Sequence, residues 1–130
     1  MSFRSSLHSY VRDQLDVAVH DSRLPLRPMM PTIVQRFVSG RADQTHSNPV
    51  SLLEKRVQFD IYGNNDEQVD DLSLTLLHKL DGYHGPMGDV SIGWAGLLSD
   101  LDTKPEDIKG GEVRYRRIMD FAIAYQEARP

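Results

Sequence analysis

The chain has 130 residues, a length that fits one domain with a hydrophobic core of its own. It contains no cysteine, which excludes disulfides and thiolate metal sites, and its formal charge of −4 argues against a protein that mainly binds phosphates. Its apolar runs are short, and no apolar region follows Arg4, so we expect neither a membrane span nor a secretory signal.

The first predicted element is an amphipathic helix that lies on a sheet. Apolar residues recur with helical spacing over Leu7–Ala18, and Ser5 or Ser6 can cap the first turn. The three prolines of Leu24–Pro31 then exclude a helix and favour an extended approach. Residues 32–39, rich in β-branched and aromatic side chains, are predicted to form the first strand.

A second strand is predicted from about Leu52 to Tyr62, where apolar and polar residues alternate. The residues between the two strands, 40–50, are polar, contain Gly and Pro, and are too many for an ordinary hairpin loop. We therefore expect a long hairpin arm or loop at about 40–50. Its candidate interface residues are Arg41, Asp43, Gln44, His46 and Asn48.

The second helix carries its own start and stop signals. Asn65 can cap it, and Gln68 follows three residues later as in a capping box. An apolar stripe runs over Val69–Leu80, and Gly82 can adopt the left-handed conformation that follows a helix. These signals predict an amphipathic helix that packs on the sheet.

Two further strands complete the pattern. Residues 83–89 have turn composition, 90–98 are the third predicted strand, 100–111 are an acidic loop, and the fourth strand runs over about 112–125. This order predicts an α+β fold in which two helices pack on one face of a four-stranded antiparallel or mixed sheet, in the order α-β-β-α-β-β. We assign residues 1–130 to a single domain.

We find no constellation for catalysis or metal binding. The five histidines lack ligand spacing, and neither a GxSxG sequence nor a phosphate-binding glycine loop is present. Asp70–Asp71 and the pair Asp100 and Asp102 are interpreted as solvated surface carboxylates. We therefore expect no enzyme, no cofactor and no metal site.

A basic cluster on the last strand is the remaining candidate. Arg114 and Arg116 share one strand face, and Arg117 interrupts the apolar face beside them. Such a cluster could contact phosphate or RNA, although a solvated strand face or a surface turned to a protein partner is favoured. Arg114 and Arg116 are therefore candidate interface residues.

The second-strand sequence Lys55–Gly63 reads Lys-Arg-Val-Gln-Phe-Asp-Ile-Tyr-Gly and is followed by Asn64–Asp66 and a helix, while Tyr115–Phe121 lies in the closing strand. Together with the leading helix and the approach Leu24–Pro31, this order resembles that of the phage tail-completion proteins, which include the tail terminators of long-tailed phages. The resemblance covers most of the chain, and its motifs are structural.

The resemblance implies a structural virion protein that assembles as a hexameric ring on the end of the tail tube and joins the tail to the head connector. Its partners would be other copies of itself, the tail tube protein and the head-completion or connector protein. DNA would only pass through the lumen, and no membrane would be involved. The subunit would be made in the bacterial cytoplasm and reside at the head-proximal end of the tail.

Two alternatives remain open at the level of sequence. The first is a small α+β ligand-binding domain or enzyme of unknown substrate, with a pocket between helices and sheet. The second is a nucleic-acid adaptor that uses the arginines of the last strand.

Overall fold

Two helices and a seven-stranded sheet that curls into a half-barrel form the fold of residues 2–42, 53–108 and 111–127, the part of the chain that the computed structural model describes. The elements in chain order are α1 (Phe3–Leu15), β1 (Ala18–Asp21), β2 (Thr32–Ala42), β3 (Leu53–Gly63), α2 (Asp66–Leu80), β4 (Gly85–Met87), β5 (Val90–Asp102), β6 (Glu106–Asp107) and β7 (Val113–Glu127). The sheet order is β1-β2-β3-β7-β5-β4, and β6 pairs with the start of β7. β1 is parallel to β2 and the other described pairings are antiparallel, so the sheet is mixed.

The prediction of a four-stranded sheet is wrong. The four long strands β2, β3, β7 and β5 are adjacent in the sheet, but β1, β4 and β6 enlarge it. β1 begins at Ala18, where the first predicted helix ends, and continues through residues for which no element is predicted; β4 lies in the predicted turn 83–89 and β6 in the predicted loop 100–111. Strands of two to four residues carry too little periodicity to be recognised, and their pairing partners are distant in sequence.

Helix α1 differs from the prediction at both ends. Ser2 is its N-cap and accepts a hydrogen bond from the N–H of Ser5 at 3.2 Å, so neither Ser5 nor Ser6 has that role. At the other end Asp16 adopts a left-handed conformation with φ of 52°, and Ala18 already belongs to β1. Ala18, the last residue of the predicted helical stripe, is exposed, and Val19 of β1 enters the core.

Helix α2 follows its predicted signals. The Asn65 side chain accepts a hydrogen bond from the N–H of Gln68 at 2.8 Å, and the Gln68 side chain accepts one from the N–H of Asn64 at 2.8 Å. Gly82 has a φ of 77° after the last turn. The predicted capping residues are confirmed. The Gln68 side chain, however, accepts its hydrogen bond from the N–H of Asn64 and not from the N–H of the cap residue Asn65.

The core lies between both helices and one face of the sheet. Leu7 and Leu76 of the helices are fully buried, as are Phe59 of β3 and Phe121 of β7, whose rings meet edge to face at 5.7 Å between centroids. Within the described residues neither helix has the length and apolar character to cross a bilayer. Neither described helix packs on the opposite face of the sheet.

Candidate protein-interaction surface

The face of the sheet opposite the helices, termed the helix-free face, carries most of the charged side chains of the central strands. Side chains alternate along a strand, so Gln58 and Asp60 point away from the core that Phe59 enters. Strand register places Arg36 of β2 beside Gln58. The register therefore brings charges from distant parts of the chain together on this face.

Asp60 lies at the centre of the helix-free face with a fully buried side chain. Arg116 Nη2 donates to its Oδ2 at 2.9 Å and Arg36 Nη2 donates to the same oxygen at 3.2 Å, while Gln58 Nε2 donates to Oδ1 at 2.9 Å. Charge-assisted bonds to both oxygens offset the desolvation of the carboxylate. The Asp60 cluster, defined as Asp60 with Arg36, Gln58 and Arg116, joins β2, β3 and β7.

Tyr62 lies next to this cluster and supports the two arginines of β7. The guanidinium carbons of Arg114 and Arg116 lie 5.8 Å and 5.7 Å from the centre of its ring, which is within range of a cation–π interaction. Burial raises the pKa of the Tyr62 phenol, and the positive charge of Arg116 partly opposes this rise. Glu106 of β6 adds a carboxylate 3.8 Å from Arg116, so this corner of the sheet is densely charged.

A second carboxylate, Asp120, lies on the same face toward β5. Ser99 Oγ donates to its Oδ2 at 3.0 Å, and Arg56 Nη2 lies 3.7 Å from that oxygen. The other oxygen, Oδ1, is buried and has no hydrogen-bond partner among the described residues. A buried acceptor without a donor costs about 1–3 kcal/mol, so Asp120 gains from any donor that a partner or water supplies.

Exposed apolar side chains border these charges. Register places Trp94 of β5 opposite Ala124 and Leu101 opposite Ile118, on the face that Asp60 occupies. Trp94 is 45% exposed and Leu101 58%, and Val38 at the irregular part of β2 is 51% exposed. Arginine and tryptophan beside exposed aliphatic groups are the residue types that protein interfaces favour.

A cleft of about 940 Å³ lies where the Pro-rich residues meet the ends of β3 and β7. Leu26 and Val113 contribute apolar walls, and Arg27, Glu112 and Arg114 contribute charge. The space between helices and sheet, where the alternative of an enzyme needs its pocket, is instead occupied by fully buried apolar side chains. This cleft is therefore a surface feature at the end of the sheet.

On the helix side of the sheet, Arg117 connects three elements. Its guanidinium donates twice to Asp100 of β5, at 2.6 Å and 2.8 Å, and once to Asp70 of α2 at 2.9 Å, with Asp102 at 3.7 Å. The hydrogen bond to Asp100 is the main cause that raises the pKa of Arg117 above its ordinary value, against the effect of burial. Asp70 is well exposed, in keeping with its interpretation as a solvated surface carboxylate, whereas Asp100 is only 28% exposed, and both bind this arginine.

The predicted interface residues have different outcomes. Arg114 and Arg116 are brought together on Tyr62, with Arg116 turned toward Asp60 of its own chain. Arg41 lies in β2 opposite Glu54. The remaining arm residues, Asp43, Gln44, His46 and Asn48, lie outside the described residues.

Sequence reasoning missed Asp60 and Arg36 as parts of one site. Asp60 lies in the polar half of an alternating strand, and such a pattern normally indicates a solvated face. Asp60 can be buried because Arg36 and Arg116, from the two neighbouring strands, bind its carboxylate. The alternation of polar and apolar residues within β3 does not reveal which strands lie beside it. Across the described ranges, no three His, Asp or Glu side chains are grouped as metal ligands would be.

Comparison with known proteins finds no matching family model and no matching curated protein. Among solved structures, a chain from the virion of a native gene transfer agent particle shares the fold. The two superpose with a TM-score of 0.61 at 12% sequence identity, over 96% of this chain and 99% of that chain. A second solved chain, 8% identical over 98% of this chain and 92% of its own, superposes with a TM-score of 0.49.

Proposed function

We propose that this protein is a structural component of a phage or phage-like virion, and that it acts as the tail terminator. In this role a hexameric ring of subunits caps the tail tube and joins the tail to the head connector. The observation that carries the proposal is the fold shared with a gene transfer agent virion chain over nearly the full length of both chains. The order of sequence motifs that resembles tail-completion proteins supports the more specific role.

The helix-free face supports a protein-binding role. It offers arginines held in place by Asp60 and Tyr62, with Trp94 and Leu101 exposed at its border. Arginines that are already held in place lose less side-chain entropy when they bind a partner. Such a surface suits contacts with other copies, with the tail tube protein and with the connector protein.

The charge distribution fits passage of DNA through the ring. The formal charge is −4, and Arg36 and Arg116 are partly neutralised by Asp60. Such arginines release few counterions on meeting phosphates, so a wall built from this face would not hold DNA tightly. In the proposal the protein is not an enzyme, takes no cofactor and resides at the head-proximal end of the tail after assembly in the bacterial cytoplasm.

Deletion of the gene from a phage or prophage that encodes the protein tests the proposal. We expect particles with separate heads and tails, tails of uncontrolled length, and restoration of normal particles when the protein is added to the extract. Normal tail length and normal head joining in the deletion strain would contradict the role of terminator.

A further inference from the structure

Strand β2 has an edge that its neighbour covers only in part. β1 pairs with β2 only as far as the pair Asp21 and Gln35, and the N–H of Ser22 donates to the carbonyl of Gln35 at 2.8 Å. From Phe37 to Ala42 no described strand pairs with this edge. Unpaired edges of this kind are templates for another strand.

Strand β5 has a similar edge on the other side of the sheet. β4 covers its start as far as Ile92. The end of α2 then covers the next part, because the N–H of Gly82 donates to the carbonyl of Ala95 at 2.8 Å and the N–H of Leu97 donates to the Asp81 side chain at 2.9 Å. Among the described strands, only β7 pairs with residues 98–102 of β5, so the other edge of this stretch has no strand partner there.

We infer that the free edge of β2 (37–42) in one copy pairs with the free edge of β5 (98–102) in the next copy. The inference rests on the proposed ring and names the contact that closes it. Along the sheet the strands alternate, so β2 and β7 run in one direction while β3 and β5 run in the other. Neighbouring subunits in a ring keep nearly the same orientation, and β2 therefore meets β5 in antiparallel fashion.

The two edges carry opposite charge. The free edge of β2 (37–42) contains Arg41 and no acidic residue, whereas residues 98–102 contain no basic residue and two acidic ones, Asp100, which is bound to Arg117, and Asp102, whose side chain is 73% exposed. Opposite charge steers two surfaces into contact and opposes pairing of either edge with itself. A second copy of this chain is thus the occupant that each edge fits.

Register also gives the pairing the offset that a closed sheet needs. Arg36 of β2 and Ser99 of β5 lie in the same row across the sheet, because Arg36 is opposite Gln58, Gln58 is opposite Asp120 and Asp120 is opposite Ser99. The free edges extend from this row in opposite directions, which offsets their centres by roughly 15 Å at about 3.4 Å per residue. Strands of a closed sheet tilt against its axis and require a stagger between neighbours, and this offset supplies one.

The absence of native cysteine allows a direct test by disulfide cross-linking. Val38→Cys is mixed with Leu101→Cys, and separately with Leu98→Cys to sample a second register, under mild oxidation in the presence of tail tubes. Leu74→Cys on α2, with a comparable 54% exposure, is the matched control. A disulfide needs Cα atoms about 4.4–6.8 Å apart, so it reports on adjacent strands.

We expect a disulfide between the β2 and β5 positions, formed on the order of 100-fold faster than with the Leu74→Cys control, because juxtaposed thiols have effective concentrations in the millimolar range. The double variant with Cys at positions 38 and 101 should form a ladder that ends in a closed ring. Assembly on tubes without either cross-link overturns the edge pairing and leaves the proposed function standing. Dimers of Val38→Cys alone indicate a β2–β2 contact and also overturn it, and absence of any assembly overturns both proposals.

Discussion

Asp60 and Arg116 meet on the helix-free face with 2.9 Å between Oδ2 and Nη2, although 56 residues separate them in sequence. Asp60 is fully buried there, and Arg36 reaches the same oxygen from the opposite side. The carboxylate thus joins the three central strands whose outer surfaces form the candidate interface.

Replacement of Asp60 by Asn should destabilise the fold. An amide of the same shape leaves the guanidinium groups of Arg36 and Arg116 without their counter-charge. Breaking a buried ion pair costs about 3–5 kcal/mol, and the lower end applies here because both arginines retain some exposure to water. Urea unfolding measures the change, with Asp13→Asn at an exposed pair as control. A loss in Asp60→Asn no larger than in the control would contradict the structural role of the cluster.

Truncation of Trp94 to Ala should weaken assembly and leave the fold stable. The side chain is nearly half exposed in the isolated chain, so its contacts are available to a partner. Aromatic anchors at interfaces are worth about 2 kcal/mol or more, which is about 30-fold in Kd. Sedimentation against protein concentration measures the change, and Leu74→Ala on the helix side is the control. Equal effects of the two substitutions would place the interface elsewhere.

Removal of the Arg117 side chain should lower the stability of the fold, because it removes the ion pairs that connect β7 to β5 and α2. Arg117→Ala leaves Asp100 and Asp70 without a partner, and we expect a loss of about 1–2 kcal/mol, since Asp70 is well exposed to water. Arg117→Lys should restore only part of this, because an ammonium group cannot make the paired hydrogen bonds to Asp100. Thermal unfolding compares the three proteins. Full recovery with Lys would show that charge alone matters.

Alkaline pH should destabilise the protein partly through Tyr62. Burial raises the pKa of its phenol in the folded state, so the folded chain retains a proton that the unfolded chain releases. This contribution to stability is complete below the ordinary tyrosine pKa of about 10 and is lost as the pH rises above that value through the folded pKa. Tyr62→Phe should make unfolding less dependent on pH in this range. An unchanged alkaline slope would contradict the assignment to Tyr62.

Replacement of residues 43–52 by the turn sequence Asn-Gly should preserve the fold and abolish assembly. The ladder between β2 and β3 extends to the pair Ala42 and Leu53, where a two-residue turn can close a hairpin. Circular dichroism and urea unfolding check the fold, and sedimentation checks assembly. If assembly persists, the predicted arm at 40–50 has no part in it.

The sequence predicted elements with a strong local pattern. Helix α2 follows from Asn65, Gln68 and Gly82 because caps and apolar stripe are all local, and the alternation of β3 placed Phe59 in the core. The short strands β1, β4 and β6 could not be predicted, since each depends on a partner elsewhere in the chain.

The candidate site was predicted only in part for a related reason. Arg114 and Arg116 were identified by their shared strand face, but their contacts with Tyr62 and Asp60 depend on which strand lies beside β7. The bidentate pair of Arg117 and Asp100 was missed because β5 continues as a strand through residues that read as an acidic loop. Strand order, more than residue type, decides which charges meet.

Electron microscopy of the purified protein mixed with tail tubes tests the proposed function most directly. The account predicts rings of six subunits that form as protein concentration rises and that bind one end of each tube, so that no further tube protein can be added there. A protein that stays monomeric at all concentrations and leaves both tube ends free to grow would contradict it.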